Sequence, residues 1–359
     1  MVKVNGAFMP GWTEWEVQNN SHYQADTFRV SFALSRLPAQ YDAAWWASQT
    51  SITIEVLAGF PSDPSNFSDS QLVSWIYGNV DEVEFSPAGG IVTVSGRDLT
   101  ALLIDTKTTE DFRSQTSSQI AQTLAGRHGL GTDYIVGTGT LAGLIYELDR
   151  VQFNHERTEW SLLCYLAGKE EFQVFVSGRD LHFEPRNDPS SVTPYLLRWE
   201  RPRSDRAAPA FNGTQLSFTR NLTVARGISV TVRSWQAKQK TVIKSVYPKP
   251  ASGITPGSST QKGGVQSYVF TRPGLNQAQA DAFAQAKHRE LTRHEMKLRA
   301  TLPADDLLAV DSVISVDGTG SQFDQSYFPD TVTRRMSASE GYTMTVSAKN
   351  HNADSETQP

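Results

Sequence analysis

The sequence predicts a mainly β protein with an α/β insertion, and three observations carry that prediction. Short runs near both ends alternate apolar with polar residues, turn residues recur between those runs, and helical spacing is concentrated in the middle of the chain. With 359 residues, the chain is too long for one ordinary core and long enough for two or three.

In the first region, Phe28 to Phe32 places large apolar residues at every second position, and Ile52 to Val56 does the same with β-branched ones. Ile91 to Val94 completes the set. Asn5-Gly6, Pro61 to Ser65 and Pro87 to Gly90 supply the reversals, so residues 1–96 are expected to form a β-barrel-like domain.

The texture changes after Gly96. Arg97 to Ile104 has the spacing of a short helix, and Ser117 to Arg127 that of a longer one, with Ile120, Ala121 and Leu124 on one face and Gly129 beyond its end. Thr158-Glu159 opens a further helix whose stripe is Trp160, Leu163, Cys164, Leu166 and Ala167. Phe172 to Val176 and Leu181 to Phe183 flank Ser177-Gly178-Arg179-Asp180 as a hairpin. Residues 97–187 are therefore expected to be a small α/β domain. Residues 188–212 are expected to be a linker, because Pro189, Pro194, Pro202 and Pro209 interrupt regular structure.

Strand patterning returns at Gly227 to Arg233 and at Thr241 to Tyr247. Pro248 to Gly264 reads as a loop, and Asn276 caps a helix running to about Leu291. Met296 to Leu302, Val313 to Val316, Asp330 to Arg335 and Tyr342 to Ala348 complete a second barrel-like domain over residues 213–350, and 351–359 reads as a disordered tail. Val94 to Leu99 and Val176 to Leu181 are identical six-residue stretches, which shared turn chemistry explains better than a repeat.

Composition narrows the function. A net charge of −5 argues against a general nucleic-acid binder. The single cysteine, Cys164, excludes an intrachain disulfide and a cysteine-rich zinc site, and its apolar neighbours mark it as a small core residue. No signal peptide and no apolar run long enough to span a bilayer is expected, so the chain is read as made and kept soluble in a reducing cytosol.

Chemistry-bearing patterns are sparse. His288 and His294 are out of helical register for a shared ligand, His294-Glu295 lacks the second histidine of a zinc protease, His128 suits a helix C-terminus, and His155 lies in a polar stretch. The glycine-rich segments 137–143 and 318–320 lack the Lys-Ser/Thr of a phosphate loop. No metal, no cofactor and no catalytic residue is expected. The one enzymatic alternative is a glycosidase that cuts cell wall, a peptidoglycan hydrolase, which needs two carboxylates. The adjacent pairs Glu170-Glu171 and Asp305-Asp306 are available, although neighbouring acids on a strand or loop usually point apart.

Residues 95–130, SGRDLTALLIDTKTTEDFRSQTSSQIAQTLAGRHGL, residues 157–185, RTEWSLLCYLAGKEEFQVFVSGRDLHFEP, and the block 298–346 beginning LRATLPADDLL together resemble phage tail baseplate hubs of the Mu-like, late control protein D type. These hubs are related to the N-terminal part of injection-system spike proteins. The order and spacing of the three blocks carry the resemblance, which spans the chain from about residue 90 onward.

The resemblance implies a non-enzymatic virion protein with two tube-like β-barrel domains per chain and a small α/β domain. A homotrimer would then present six barrels as a pseudo-sixfold ring, joining a hexameric tail tube or distal tail protein to a trimeric spike or tip. A tape-measure protein is a further implied partner, and DNA would pass through the lumen without specific binding. The implied location is the baseplate of the virion tail, assembled in the bacterial host cytoplasm, with no membrane anchor. Candidate interface residues are Trp12, Trp15, Trp45 and Trp46, for which core packing is the ordinary alternative. The basic cluster Arg198, Arg201, Arg203 and Arg206 is a second candidate, which would face an acidic partner surface unless it is simply solvated.

Overall fold

The computed structural model describes residues 1–350 apart from 22–23, 111, 113, 140, 142–156, 186–191, 203, 205–208, 223–227, 237–240, 249–265 and 293–295. The expected tail 351–359, nearly all of the loop 248–264, and His155 and His294 lie outside the described residues. The chain divides into two compact units, one comprising Met1–Thr193, Thr301–Ser312 and Asp330–Thr345, the other Pro194–Ala300, Val313–Pro329 and Val346–Pro359.

The first unit is built on an antiparallel sheet. Its strands are β1 (Val2–Val4), β2 (Ala7–Phe8), β3 (Trp12–Asn20), β4 (Thr27–Ala33), β5 (Thr53–Ala58), β6 (Val73–Ser86) and β7 (Ile91–Asp98), ordered β3-β4-β7-β6-β5-β1-β2. The distal part of β20 (Ser326–Ser337) runs beside β3, with Met336 opposite Trp15 and Thr331 opposite Asn20. Period-two patterning sends Val17, Val30, Val94, Ile54 and Val4 to one face. Side chains from β1, β3, β4, β5, β6 and β7 meet in a single core together with Met9 and Trp46, the latter from α1 (Ala43–Ser48). A flat sheet could not bring non-adjacent strands into one core, so this sheet rolls over its own inner face. Among the described residues the ladder does not close into a ring; it is a curled, open sheet.

Two glycines make the roll possible where β6 and β7 bend. The register shifts between Val80 and Glu82, and a Cβ added at Gly96 would stand 2.0 Å from the Asn79 carbonyl oxygen and 2.7 Å from Phe28 Cζ. At Gly78 it would stand 2.1 Å from the Arg97 carbonyl oxygen. Only residues lacking Cβ allow that approach.

The same unit holds the α/β part. Helices α2 (Thr100–Asp105), α3 (Ser117–Arg127) and α4 (Glu159–Glu170) pack with the hairpin β10 (Phe172–Ser177) and β11 (Asp180–Pro185); β8 (Lys107–Thr108) and β9 (Arg157–Thr158) pair beside them. Leu103, Ile120, Leu124, Leu163, Leu166, Val174, Leu181 and Phe183 form their core. Thr116 and Gln119 close a capping box at the start of α3, Thr158 caps α4, and Glu171 ends α4 in the left-handed region at φ 59. The hairpin turns at the expected residues, Ser177 pairing with Asp180. The short helix begins three residues later than its spacing suggests, because β7 continues through Asp98 before α2 starts at Thr100.

In the second unit, β12 (Tyr195–Glu200) pairs in parallel with β19 (Ile314–Asp317) and antiparallel with β13 (Ala210–Phe211). β14 (Gln215–Arg220) lies beside β18 (Met296–Pro303), which in turn lies beside β21 (Gly341–Asn350). β12 falls inside the proline-rich stretch expected to break regular structure. It fits between Pro194 and Pro202, neither of which has to donate to a ladder. A separate three-stranded sheet sets β15 (Ile228–Gln236) between antiparallel β16 (Thr241–Tyr247) and parallel β17 (Gln266–Thr271). Helix α5 (Gln277–Thr292) covers one face of it, seating Ala280 and Ala284 on Ile228, Val230 and Val232. The mainly β architecture with an α/β part is therefore observed.

Candidate functional site

A cavity of about 310 Å³ lined by several titratable groups lies in the first unit. Strand β3 supplies Asn19 and Asn20, the turn just before β4 supplies Asp26, and β6 supplies Trp75 and Tyr77. Asp98 and Thr100 come from the β7–α2 junction, Gln173 and Phe175 from β10, and Arg334 from β20.

Two carboxylates share this wall. Asp26 accepts hydrogen bonds from the Asn19 amide (2.7 Å) and the Asn20 backbone N–H (2.7 Å). Asp98 accepts from the Thr100 N–H (3.2 Å) and hydroxyl (2.8 Å), and its own N–H donates to the Asp26 carbonyl at 3.0 Å. Burial raises both carboxyls, Asp26 from 3.8 to about 6 and Asp98 well above 3.8, and the charge of Asp26 pushes Asp98 further up. Like charges this close resist joint ionisation, so the pair titrates as one coupled system. Chemically, such a pair could hold or hand on a proton. Each acid also ties down a turn of its own chain, which is sufficient reason for its position.

Arg334 is fully buried beside them. Its guanidinium carbon lies 3.3 Å from the centre of the Trp75 ring, Nη1 donates to Asn19 Oδ1 at 3.3 Å, and Nη2 donates to the Leu308 carbonyl. Burial lowers its pKa, while Tyr342, Asp305 and Asp306 oppose that effect. Asn19 thus links the arginine to Asp26. Arg179 lies over the Tyr77 ring at 4.6 Å and donates to its hydroxyl at 2.7 Å. No cluster of three metal-ligating side chains occurs among the described residues.

The residues singled out in the sequence are placed as follows. Trp15 and Trp46 are buried in the core of the rolled sheet, and Trp12 and Trp45 pack half-buried against the same core. For Trp15 and Trp46 core packing is the observed role, because a 2% exposed side chain has no surface left to present. Arg198 is exposed with Asp317 at 3.6 Å, Arg201 is exposed, and Arg203 and Arg206 lie outside the described residues. Glu170 accepts from the Ser117 hydroxyl at 2.6 Å, and Glu171 is the helix-ending residue. Asp305 caps the turn at Leu307 and Leu308, and Asp306 is raised by burial and by Asp305, with Arg334 opposing. The structure brings neither adjacent acidic pair into the cavity. It assembles Asp26 with Asp98 instead, residues far apart in sequence. The one local signal for Asp98 was its place in the repeated six-residue stretch, where it reads as turn chemistry.

No protein-family model matches the sequence, and no curated protein matches it either. Solved structures do share the fold. A tail protein from Neisseria meningitidis MC58 aligns with a TM-score of 0.65 at 16% identity over 97% of this chain and 95% of its own. The 43 kDa tail protein of prophage MuSo2 from Shewanella oneidensis aligns with a TM-score of 0.64 at 17% identity over 97% and 96%. An E. coli component of the type VI secretion system, described as similar in structure to bacteriophage tail proteins, aligns with a TM-score of 0.55 at 13% identity over 100% and 79%. The chain therefore has the fold of these phage tail and type VI secretion proteins.

Proposed function

We propose that this chain is a structural baseplate hub of a phage tail: a homotrimer that joins a hexameric tail tube, or a distal tail protein, to a trimeric spike or tip. The observation that carries the proposal is the extent of the fold match, which takes in nearly the whole of this chain and of both tail proteins rather than a shared module. A scaffold of curled sheets with small helical elements suits a part whose work is geometric. Under this reading residues 1–96 and 213–350 provide the two tube-like units, 97–187 the α/β domain and 188–212 the connection. Three copies then offer six similar surfaces, which resolves a threefold-to-sixfold mismatch that a one-barrel subunit could not.

The chain works in the virion tail after assembly in the host cytoplasm, contacts a tape-measure protein, and lets DNA pass without specific binding. Its net charge of −5 suits a lumen that repels phosphate. No helix among the described residues is long and apolar enough to cross a membrane, in keeping with assembly through protein contacts alone. Arg198 and Arg201, both exposed, are available to an acidic partner. Light scattering on the purified chain tests the trimer: the reading expects three times the chain mass of 39.7 kDa, and a stable monomer at assembly concentrations would contradict it.

The second reading, a peptidoglycan hydrolase, is favoured by one observation, the coupled pair Asp26 and Asp98 in a cavity with aromatic walls. A carboxyl raised enough to stay protonated beside a second carboxyl that can ionise is what acid–base hydrolysis requires. Asp98→Asn and Asp26→Asn decide it: loss of peptidoglycan cleavage in both would support the hydrolase, and absence of cleavage by the unaltered chain would remove it.

A further inference from the structure

The two units each carry an exposed apolar patch, and the patches are opposite in charge. On the second unit, α5 covers one face of the sheet β16-β15-β17, and among the described residues no helix covers the other. Alternation along the strands puts Trp235 (50% exposed), Val242 (65%) and Val269 (55%) on that outer face. Trp235 and Val242 are cross-strand partners, as are Arg233 and Lys244 one step along the same two strands. Arg233 and Lys244 are exposed and in no ion pair among the described residues. An exposed tryptophan and an arginine beside β-branched residues are the composition of an interface centre rather than of ordinary surface.

On the first unit, Phe60 is 65% exposed and Leu307 78%. They belong to neighbouring turns. The Phe60 ring stands 6.0 Å from that of Tyr342, and the Tyr342 carbonyl accepts from the Ala304 N–H that opens the turn carrying Leu307. The charge around them is acidic. Asp306 is exposed beside Leu307, Asp305 caps the same turn, and Asp63 is exposed beyond Phe60.

We propose that the Trp235 face of one copy docks on the Phe60–Leu307 patch of a second copy, with Arg233 and Lys244 meeting the carboxylates around Leu307. The occupant is a second copy because this chain itself supplies the matching chemistry: apolar with basic on one patch, apolar with acidic on the other. Each patch is exposed on the single chain. The contact is heterologous, each copy giving one patch and receiving the other, so it propagates head to tail, and under the trimer reading three copies close it into a ring. The inference rests on the trimer reading above and assigns its contact surface.

Mixing two variants tests it. Trp235→Glu spoils the basic patch and leaves the acidic one; Leu307→Glu does the reverse. Both positions are exposed, and matching circular dichroism melts confirm that the variants fold. The expected masses by light scattering are a trimer for the unaltered chain, a monomer of 39.7 kDa for each variant alone, and a one-to-one dimer for their mixture, since one intact contact remains between them. The charge swap Lys244→Glu with Asp306→Lys should restore the trimer that Lys244→Glu alone weakens. An unaltered chain that is trimeric while either variant stays trimeric overturns this contact and leaves the trimer standing. A monomeric unaltered chain overturns the trimer reading and the contact with it.

Discussion

Replacing Asp98 by asparagine removes one of two like charges from the wall of the cavity while keeping the shape of the side chain and an oxygen that can still accept from the Thr100 N–H (3.2 Å in the unaltered chain). In the folded protein Asp26 sits at about 6 against 3.8 for a free carboxyl, and Asp98 is raised as well. Raised carboxyls mean that the folded chain holds protons the unfolded chain has released. The pair therefore favours folding most at acid pH, and that contribution is lost as pH rises from about 4 through the folded-state values. Asp26 owes its rise from 3.8 to about 6 to its own burial and not to Asp98, so that rise is common to both proteins and cancels in the comparison. What the substitution removes is the raised Asp98 carboxyl, an effect of about 1–3 kcal/mol, the usual scale for one shifted buried carboxyl. Urea unfolding of both proteins from pH 4.5 to 8 measures it. The stability of Asp98→Asn relative to the unaltered chain should rise with pH across that range. A difference that stays flat, or falls, would refute the coupled-pair description.

Other expectations follow from packing. Gly96→Ala places a methyl 2.0 Å from the Asn79 carbonyl, so thermal unfolding should show a loss of about 3 kcal/mol or more, above the usual ~1–3 kcal/mol for overpacking because backbone must move. Arg334→Met removes the stack on Trp75 and the donors to Asn19 and Leu308; a loss of about 2–4 kcal/mol in urea unfolding is expected from the lost cation–π contact and the buried acceptors left without a donor. Thr116→Ala deletes one arm of the α3 capping box and should cost about 1 kcal/mol. Cys164, whose thiol burial pushes up to about 12, should react with a disulfide reagent at pH 8 only after denaturant is added, because the thiolate is the reactive species.

Much of the architecture was legible in local patterns. Period-two runs such as Phe28 to Phe32 became β4, the Ser117 to Arg127 stripe became α3, and Ser177 to Asp180 turned the hairpin, because each depends on residues a few positions apart. What escaped depends on distant pairing. Tyr195 to Glu200 looked like linker since prolines flank it, yet its partner is the parallel strand from Ile314 to Asp317, more than a hundred residues further along the chain. The parallel contact between Ile228 to Arg233 and Gln266 to Thr271 was hidden for the same reason. The cavity was the least readable feature: nothing around Asp26 or Asp98 announces that a rolled sheet will bring both acids to one wall, or that Arg334 will be sealed against Trp75. The four tryptophans could not be sorted from the sequence: only the place of β3 in the rolled sheet and of α1 against it shows Trp15 and Trp46 to be core while Trp12 and Trp45 keep part of their surface.

The central claim, that two similar β regions in one chain let three copies imitate a sixfold ring, is tested most directly by cryo-electron microscopy of the chain assembled with tail-tube protein. The account predicts a ring of three copies whose tube-facing density repeats six times around the axis. A ring that repeats only three times at that face, or tube ends that recruit no chain, would contradict it.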